Sequence, residues 1–580
     1  MYYLGFDLST QQLKCLAIDE HLRIVHSEVV EFEKELAHYG TRKGVYAHDD
    51  VVDCPVGMWL EALDLVMKKF VNSGFDMGSV GAISGSCQQH GSVYWRTGAE
   101  DLLQGLTPSE DLVKQLYPNA FSRDTAPNWQ DHSTKVQCGR MEARVGGPEE
   151  LAQITGSRAH FRFTGPQIMK IAEHEPEAYA DTESIALVSS FLTSVLCGKI
   201  VPLEEADACG MNLYDITARD FSEKLVEVVA PKENGAEGLL RRLGGKVVTC
   251  DEPVLMGPIA GYFVDKYGLN KNCKIFPFTG DNLATICSLP LEKNDVLVSL
   301  GTSTTVLVIT DQYHPSPNYH LFIHPTIPKY YMGMICFSNG ALAREKIRDA
   351  INGDDSNDWK KFNDAVLDDS LDNSNELGVY FPLGEIVPSV KAATKRIIFD
   401  KKTGEILEEK EAFDDPRHDA KNIVESQALS SKIRVAPLLN GNDSAKNTQT
   451  NSDPVVKFDY DSLRLSEYTN KRPNRVYFVG GASKNDAIVT LFAEVLGAVN
   501  GNYRLETPNS CALGGCFKAM WSDQYNSGKI SKSTTFDKFL AENFPKEDLE
   551  AIHVDGDIEK KWASYNKKIV PLSNLESKLK

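Results

Sequence analysis

Two short polar segments carry residue types that can grip phosphate. The first is Gly5-Phe6-Asp7-Leu8-Ser9-Thr10-Gln11-Gln12, and the second is Leu300-Gly301-Thr302-Ser303-Thr304-Thr305. Each lies between two apolar runs, residues 2–6 and 13–18 for the first, 296–300 and 306–309 for the second, so each reads as a β-hairpin. Glycine and small hydroxyl residues let backbone N–H groups and side-chain hydroxyls converge on an anion. Two such copies facing each other can hold a polyphosphate from both sides. Aligning Thr10 with Thr304 sets Asp7 opposite Gly301, so only the first copy carries a carboxylate. One acid beside phosphates suits Mg²⁺, which takes few carboxylates plus waters and phosphate oxygens.

Other segments supply groups for an acceptor and a nucleoside. Thr279-Gly280-Asp281-Asn282 follows an apolar run and is expected at a strand end, where open α/β sheets present ligand groups. Asp281 either caps the next helix or faces a ligand; the hairpins on either side in sequence favour the ligand. Gln89-His90-Gly91 also follows a strand-like run, and His90 either meets a hydroxylated ligand or is structural. Asn128-Trp129-Gln130-Asp131 combines an aromatic face with amides, and Gly156-Ser157-Arg158 offers a guanidinium whose bland alternative is a surface ion pair. Gly480-Gly481-Ala482-Ser483-Lys484-Asn485 is expected at a strand-to-helix turn, where paired glycines admit a flat base and ribose or simply make a tight turn. Neither a Gly-x-Gly-x-x-Gly fingerprint with a downstream acid nor a Walker-type loop occurs, so dinucleotide and P-loop sites are not supported.

The elements that must position these residues come in two similar sets. Residues 2–6, 13–19 and 22–32 read as strands, 55–70 as a helix with Trp59, Leu60, Leu63, Val66 and Met67 on one face, and 80–84 as a buried strand. In the second half, 296–300, 305–310, 330–337 and 475–479 read as strands, with helices after Gly340 and over 483–496. The plan predicts two α/β domains, 1–289 and 290–580, each a mixed sheet flanked by helices, with a cleft between them. Two stretches, 393–415 (charged) and 439–453 (Asn, Ser, Thr and Asp-rich), read as insertions, the second as a surface loop.

Composition narrows the partners. At 580 residues the chain exceeds one core, and a net charge of -19 argues against nucleic acid or an anionic membrane as the main partner. No apolar run is long enough for a membrane span, and no secretory pattern opens the chain. The 12 cysteines form no Cys-x-x-Cys pair, which argues against zinc and for buried free thiols in a cytoplasmic protein.

Taken together, Asp7 with its hairpin, Gln89-His90-Gly91, Thr279-Gly280-Asp281-Asn282, Gly301-Thr302-Ser303 and Gly480-Gly481-Ala482-Ser483-Lys484-Asn485 resemble the motifs of the FGGY family of carbohydrate kinases, from about residue 3 to about residue 520. The resemblance implies the actin-like, ribonuclease-H-like ATPase fold in both domains. The segments Gly85-Ser86-Cys87-Gln88-Gln89-His90-Gly91, Thr155-Gly156-Ser157-Arg158-Ala159-His160 and Glu204-Glu205-Ala206-Asp207-Ala208-Cys209-Gly210 are similar to the branch that phosphorylates a ketopentose. The resemblance further implies transfer of the γ-phosphoryl of ATP to D-xylulose, giving D-xylulose 5-phosphate for the pentose phosphate pathway, with lobe closure keeping water out. Asp281 would be the catalytic base, with His90, Arg158, Asp281 and Asn282 on the sugar. Asp7 would sit by Mg²⁺, directly or through water. Ser9, Thr10, Gln11, Gly301, Thr302 and Ser303 would surround the phosphates, and Trp359, Gly480, Gly481, Ala482 and Asn485 the adenosine. A monomer or homodimer with no nucleic-acid or membrane partner is expected. Two departures from the family pattern stand out. Trp129-Gln130-Asp131-His132-Ser133 replaces the Trp-Asn-Asp-x-Arg frequent in bacterial members, which lowers the weight on Trp129 and Asp131. The charged insertion splits a signature that runs from Gly378 and resumes at Ala420. The alternatives are a kinase for another ketopentose or a polyol, and a non-catalytic actin-like nucleotide-gated sensor.

Overall fold

The computed structural model describes residues 1–232, 235–353, 357–440, 454–458, 461–505 and 509–579. The chain divides into unit 1 (Met1–Leu291, Leu321–Tyr330 and Asn509–Pro545) and unit 2 (Glu292–His320, Tyr331–Pro508 and Lys546–Lys580).

Unit 1 opens with β1 (Tyr2–Leu8), β2 (Gln12–Ile18) and β3 (Ile24–Glu31), an antiparallel meander in which Asp7 pairs with Lys14 and Leu8 with Leu13. Helix α1 (Val56–Asn72) buries Trp59, Leu60, Leu63, Val66, Met67 and Phe70, a period of three to four that covers one stripe. The chain then enters β4 (Val80–Cys87), parallel to β1 with Asp7 opposite Ser86. This strand runs three residues beyond the predicted end at 84. Beyond β4, β5 (Gly257–Pro258) and β6 (Lys274–Ile275) complete the order β3-β2-β1-β4-β6-β5, while β7 (Thr279–Gly280) pairs with the end of β4, Gly280 opposite Cys87. Pro277 has no N–H to give a ladder, and the apolar run 275–278 ahead of Thr279 leads from the end of one short strand, β6, to the next, β7. Asp7, Ser86 and Gly280 thereby stand at one edge, the carboxyl ends of parallel strands.

The helix Ser510–Ser527 belongs to this unit and crosses β1 and β4 at close range. A Cβ on Gly5 would lie 2.5 Å from Cys516 N, and one on Gly515 would lie 2.7 Å from Gly85 Cα. Glycine on both surfaces lets the backbones touch, which is why residues near the C-terminus join the N-terminal unit rather than following a division at 289/290.

Unit 2 repeats the strand plan with β8 (Val296–Leu300), β9 (Thr304–Thr310), β10 (Tyr331–Phe337) and then β14 (Val476–Val479), β15 (Asn502–Leu505) and β16 (Leu549–Ile552), ordered β10-β9-β8-β14-β15-β16. β8 is antiparallel to β9 and parallel to β14, as β1 is to β2 and β4. The register revises the alignment of the two hairpins. Leu8 pairs with Leu13 across four residues, Leu300 with Thr304 across three, so Asp7 corresponds to Ser299 rather than Gly301. The first copy alone still carries the acid.

The helices of unit 2 include α5 (Ala341–Asn352), α6 (Lys360–Leu367), α7 (Arg417–Val435) and α8 (Asp486–Leu496). Those of unit 1 include α2 (Lys135–Val145), α3 (Glu205–Ala208) and α4 (Asp281–Ile286). The stretch 393–415 is ordered into β12 (Ala393–Phe399) and β13 (Ile406–Lys410), which extend β11 (Glu376–Phe381) into a three-stranded antiparallel sheet. Ile397 and Phe399 are buried on alternate positions and the lysines and glutamates point outward, so its charge is the solvated face of a hairpin. In the surface loop expected over 439–453, residues 441–453 lie outside the described residues.

Candidate active site

The first hairpin ends in a tight turn: Ser9 N–H and Oγ both donate to Gln12 O, at 3.0 and 2.9 Å. Phe32 N–H donates to Gln11 O, and a Cβ on Gly44 would overlap Thr10 O, so the tip is held from outside. Thr10 Oγ1 accepts from Trp129 Nε1 at 2.8 Å. Trp129, given less weight on sequence, therefore steadies the turn of the first hairpin. Asp131 is fully buried and accepts from Val52 N–H, Ser133 and Gln167 Nε2. Burial raises its carboxyl, but these donors and Lys170 outweigh burial and hold it below the usual range. Asp131 organises the fold.

Asp7 is 3% exposed. Its Oδ1 accepts from Ser86 Oγ at 3.0 Å, and Lys14 Nζ lies 3.7 Å from Oδ2. Burial raises its carboxyl above the ordinary value despite Lys14 and Ser86. One distant lysine leaves this anion undercompensated. A single carboxylate of that kind fits a cation that keeps its own waters; a closed protein cage does not form, since no group of three or more metal-ligating side chains occurs among the described residues.

Asp281 is the first residue of α4, with Gly280 rather than Asp281 at the cap position. Its Oδ1 accepts from Asn282 N–H (2.8 Å) and Asn282 Nδ2 (3.0 Å), while Oδ2 meets no donor among the described residues. Burial, then the Asp7 charge, push its carboxyl up to about 7. A carboxyl with one unpaired oxygen and that affinity is suited to take a proton near neutral pH.

His90 is buried with φ +72°, a sparsely populated conformation for a residue with a side chain. Its ring stacks on Phe163 at 4.2 Å, and Nδ1 lies 3.0 Å from Gly210 O. A carbonyl only accepts, so Nδ1 carries the proton and Nε2 the lone pair. Burial and the Arg162 charge drive its pKa well below the usual value, leaving a neutral ring that can accept from a hydroxyl. Arg158 pairs with Glu142 of α2 at 3.2 Å, an ion pair of the kind that was its bland alternative, with the side chain 30% exposed.

In unit 2 the loop Gly301-Thr302-Ser303 is backed by Gly340. Gly340 N–H donates to Thr302 O and Ala341 N–H to Gly301 O, each at 3.0 Å, and a Cβ on Gly340 would lie 2.7 Å from Thr302 O. Gly480 has φ +90°, and its Cα packs on Leu300, 2.8 Å from the carbonyl oxygen for an added Cβ. Strand packing, not a ligand, thus demands that glycine; beside Gly481 the space is open. Asn485 caps α8 through Ile488 N–H and donates to Asn363 Oδ1 of α6 at 2.9 Å, so its amide is engaged at both ends. Trp359 sits at the cap of α6, with the Arg348 guanidinium 4.8 Å from its ring and Phe362 at its edge. Ala482 lies in the short turn between β14 and α8.

Three contributors were not singled out from sequence. Gly340 had only an Asn-Gly turn as a signal. Gln89 and Asp207 lay inside quoted segments, but their link is tertiary. Gln89 Nε2 reaches Asp207 Oδ1 at 3.5 Å, and Gln89 Oε1 accepts from Asn282 Nδ2 at 3.3 Å.

Residues 124–287 match the N-terminal domain of the FGGY family of carbohydrate kinases, and residues 296–522 match its C-terminal domain. The chain belongs to this family and is an enzyme of the carbohydrate kinase class. It is 62% identical to the xylulose kinase of Saccharomyces cerevisiae over 588 residues, covering 100% of this chain and 96% of that one. It is 40% identical over 567 residues to the D-xylulose kinase A of Aspergillus niger, covering 96% and 94%. Among solved structures, the xylulose kinase of Rhodospirillum rubrum shares the fold, with a TM-score of 0.72 at 14% identity over 100% of this chain and 99% of that one. The fold is the actin-like, ribonuclease-H-like ATPase fold expected from the motifs.

Proposed function

We propose that this kinase transfers the γ-phosphoryl of ATP to the terminal hydroxyl of D-xylulose, giving D-xylulose 5-phosphate and ADP. The observation that carries the chemistry is Asp281, a half-buried residue with one carboxyl oxygen unpaired at the same sheet edge as Asp7. The 62% identity to a xylulose kinase along the whole chain supports the choice of sugar. Asp281 Oδ2 takes the proton of the attacking hydroxyl; Asn282, His90 through Nε2, and Arg158 on release from Glu142 orient the ketopentose. Phosphoryl transfer needs positioning and charge neutralisation more than covalent chemistry.

In unit 1, Ser9, Thr10 and Gln11 hold phosphate. Asp7 would hold Mg²⁺, which when bound would supply positive charge against the phosphates. In unit 2, Gly301, Thr302 and Ser303 take phosphate, and Trp359, Gly481, Ala482 and the turn shaped by Gly480 and Asn485 take the adenosine. All twelve cysteines are free, which supports a reducing cytoplasmic setting. No helix among the described residues is long and apolar enough to cross a membrane.

A coupled ADP-release assay over D-xylulose, other ketopentoses and glycerol tests the reading. D-xylulose should exceed glycerol in kcat/KM by a large factor, because glycerol leaves buried polar groups unpaired. Equal efficiency removes the xylulose assignment while leaving a kinase.

A further inference from the structure

Behind Asp281 runs a hydrogen-bonded chain that ends on a buried carboxylate. Asp207 of α3 is 2% exposed. Its Oδ2 accepts from Ser189 Oγ at 2.6 Å and its Oδ1 faces Gln89 Nε2 at 3.5 Å. Gln89 Oε1 accepts from Asn282 Nδ2 at 3.3 Å, and that same Nδ2 donates to Asp281 Oδ1 at 3.0 Å.

The polarity of this chain is not free. An ionised carboxylate only accepts, so Asp207, in its ionised form above about pH 7, obliges Gln89 to point its NH₂ inward and its oxygen at Asn282. The Gln89 oxygen then obliges Asn282 to present its own NH₂, which settles on Asp281 Oδ1. Reversing Gln89 would set NH₂ against NH₂ at Asn282 and oxygen against carboxylate at Asp207. Gly280 makes room for the arrangement: a Cβ there would lie 2.5 Å from Gln89 Nε2.

We propose that Asp207 is a positioning residue for phosphoryl transfer. Acting through Gln89 and Asn282, it pins Oδ1 of Asp281 and leaves Oδ2 as the oxygen presented to the acceptor hydroxyl. The proposal rests on the reading of Asp281 as the base. Asp207 never touches the sugar.

The charged and titratable groups around it set its electrostatics. Glu204, at the cap of α3, accepts from Asp207 N–H at 2.8 Å and from Thr279 Oγ1 at 3.0 Å; Lys518 lies 3.8 Å from Glu204. Asp281 opposes Asp207 from α4, with Asp7 and its Lys14 beyond, and the thiols of Cys87 and Cys209 complete the shell. Burial first, and then Glu204 and Asp281, push the Asp207 carboxyl up to about 7 despite Ser189 and Gln89.

The test is the pH profile of kcat/KM for D-xylulose in four full-length variants. Asp207→Asn lets Gln89 reverse and removes a like charge near Asp281. It should lower kcat about tenfold or more and move the acid limb to lower pH, with KM for ATP unchanged. Gln89→Met breaks the chain but keeps the charges, so kcat should fall with the limb in place. The double variant should lose no more kcat than the worse single, since both act through one path. Gly280→Ala, which displaces Gln89 and leaves Asp207 intact, should mimic Gln89→Met and serves if Asp207→Asn does not fold. A limb unmoved in Asp207→Asn, or kcat losses that multiply in the double variant, or full activity in Gly280→Ala overturns the proposal. None of these results bears on the base itself; only an active Asp281→Ala would remove the reading beneath.

Discussion

Replacing Asp281 tests the site most directly. Its carboxyl stands at about 7 instead of 3.8, because burial and the neighbouring Asp7 both penalise the anion. A base works only when ionised, so activity is lost as pH falls through that value. At pH 5, two units below, only about one molecule in a hundred carries the ionised base, and kcat/KM should stand about a hundredfold below its plateau. An unperturbed aspartate would keep more than about nine-tenths of its charge there. Asp281→Ala should lower kcat by about 10²- to 10⁴-fold at pH 8 and leave equilibrium ATP binding nearly intact. The assay is coupled ADP release from pH 5 to 9, with nucleotide affinity measured separately by calorimetry. A wild-type acid limb near pH 4 would refute the electrostatic reasoning. An Asp281→Ala enzyme keeping more than about a tenth of kcat would show that another group is the base.

The same burial makes a stability prediction. Asp207 and Asp281 each rise from 3.8 to about 7 on folding, so their contribution is full below the unfolded value and is lost as pH climbs through the folded one. At about 1.4 kcal/mol per unit, the upper bound is about 4 kcal/mol each; Asp207→Asn should therefore raise Tm more at pH 8 than at pH 5, and equal shifts at both would contradict it. Asp7→Asn should raise the Mg²⁺ concentration for half-maximal rate about tenfold, roughly 1.4 kcal/mol, without altering metal-free ADP binding, and an unchanged Mg²⁺ curve would exclude Asp7 from the metal. Gly340→Ala places a Cβ 2.7 Å from Thr302 O and Ser303 C; KM for ATP should rise about tenfold or more while KM for the sugar holds, and wild-type ATP kinetics would show that the loop tolerates displacement.

Much of the frame was written locally. The two hairpins, the helix over 55–70 and the strands ending near Gly85 and Gly480 follow from alternating or three-to-four spaced apolar residues, and the structure realises each within a few residues. The order of motifs along the chain also pointed to the kinase family, and Asp281 stood out because Gly280 precedes it at a strand end. What sequence could not determine depends on contacts between distant segments. Whether a charged run is a loop or the outer face of a hairpin, as at β12 and β13, depends on β11 being there to pair with it. Gly480 read as a ligand contact, yet its packing on Leu300 across β8 explains it. The helix Ser510–Ser527 joins unit 1 only because Gly5 and Gly85 expose their backbones to it. The chain from Asp207 through Gln89 to Asp281 spans 118 residues at its first link and 193 at its second. Burial, which raises those two carboxyls to about 7, is a property of the folded surroundings and of no single residue.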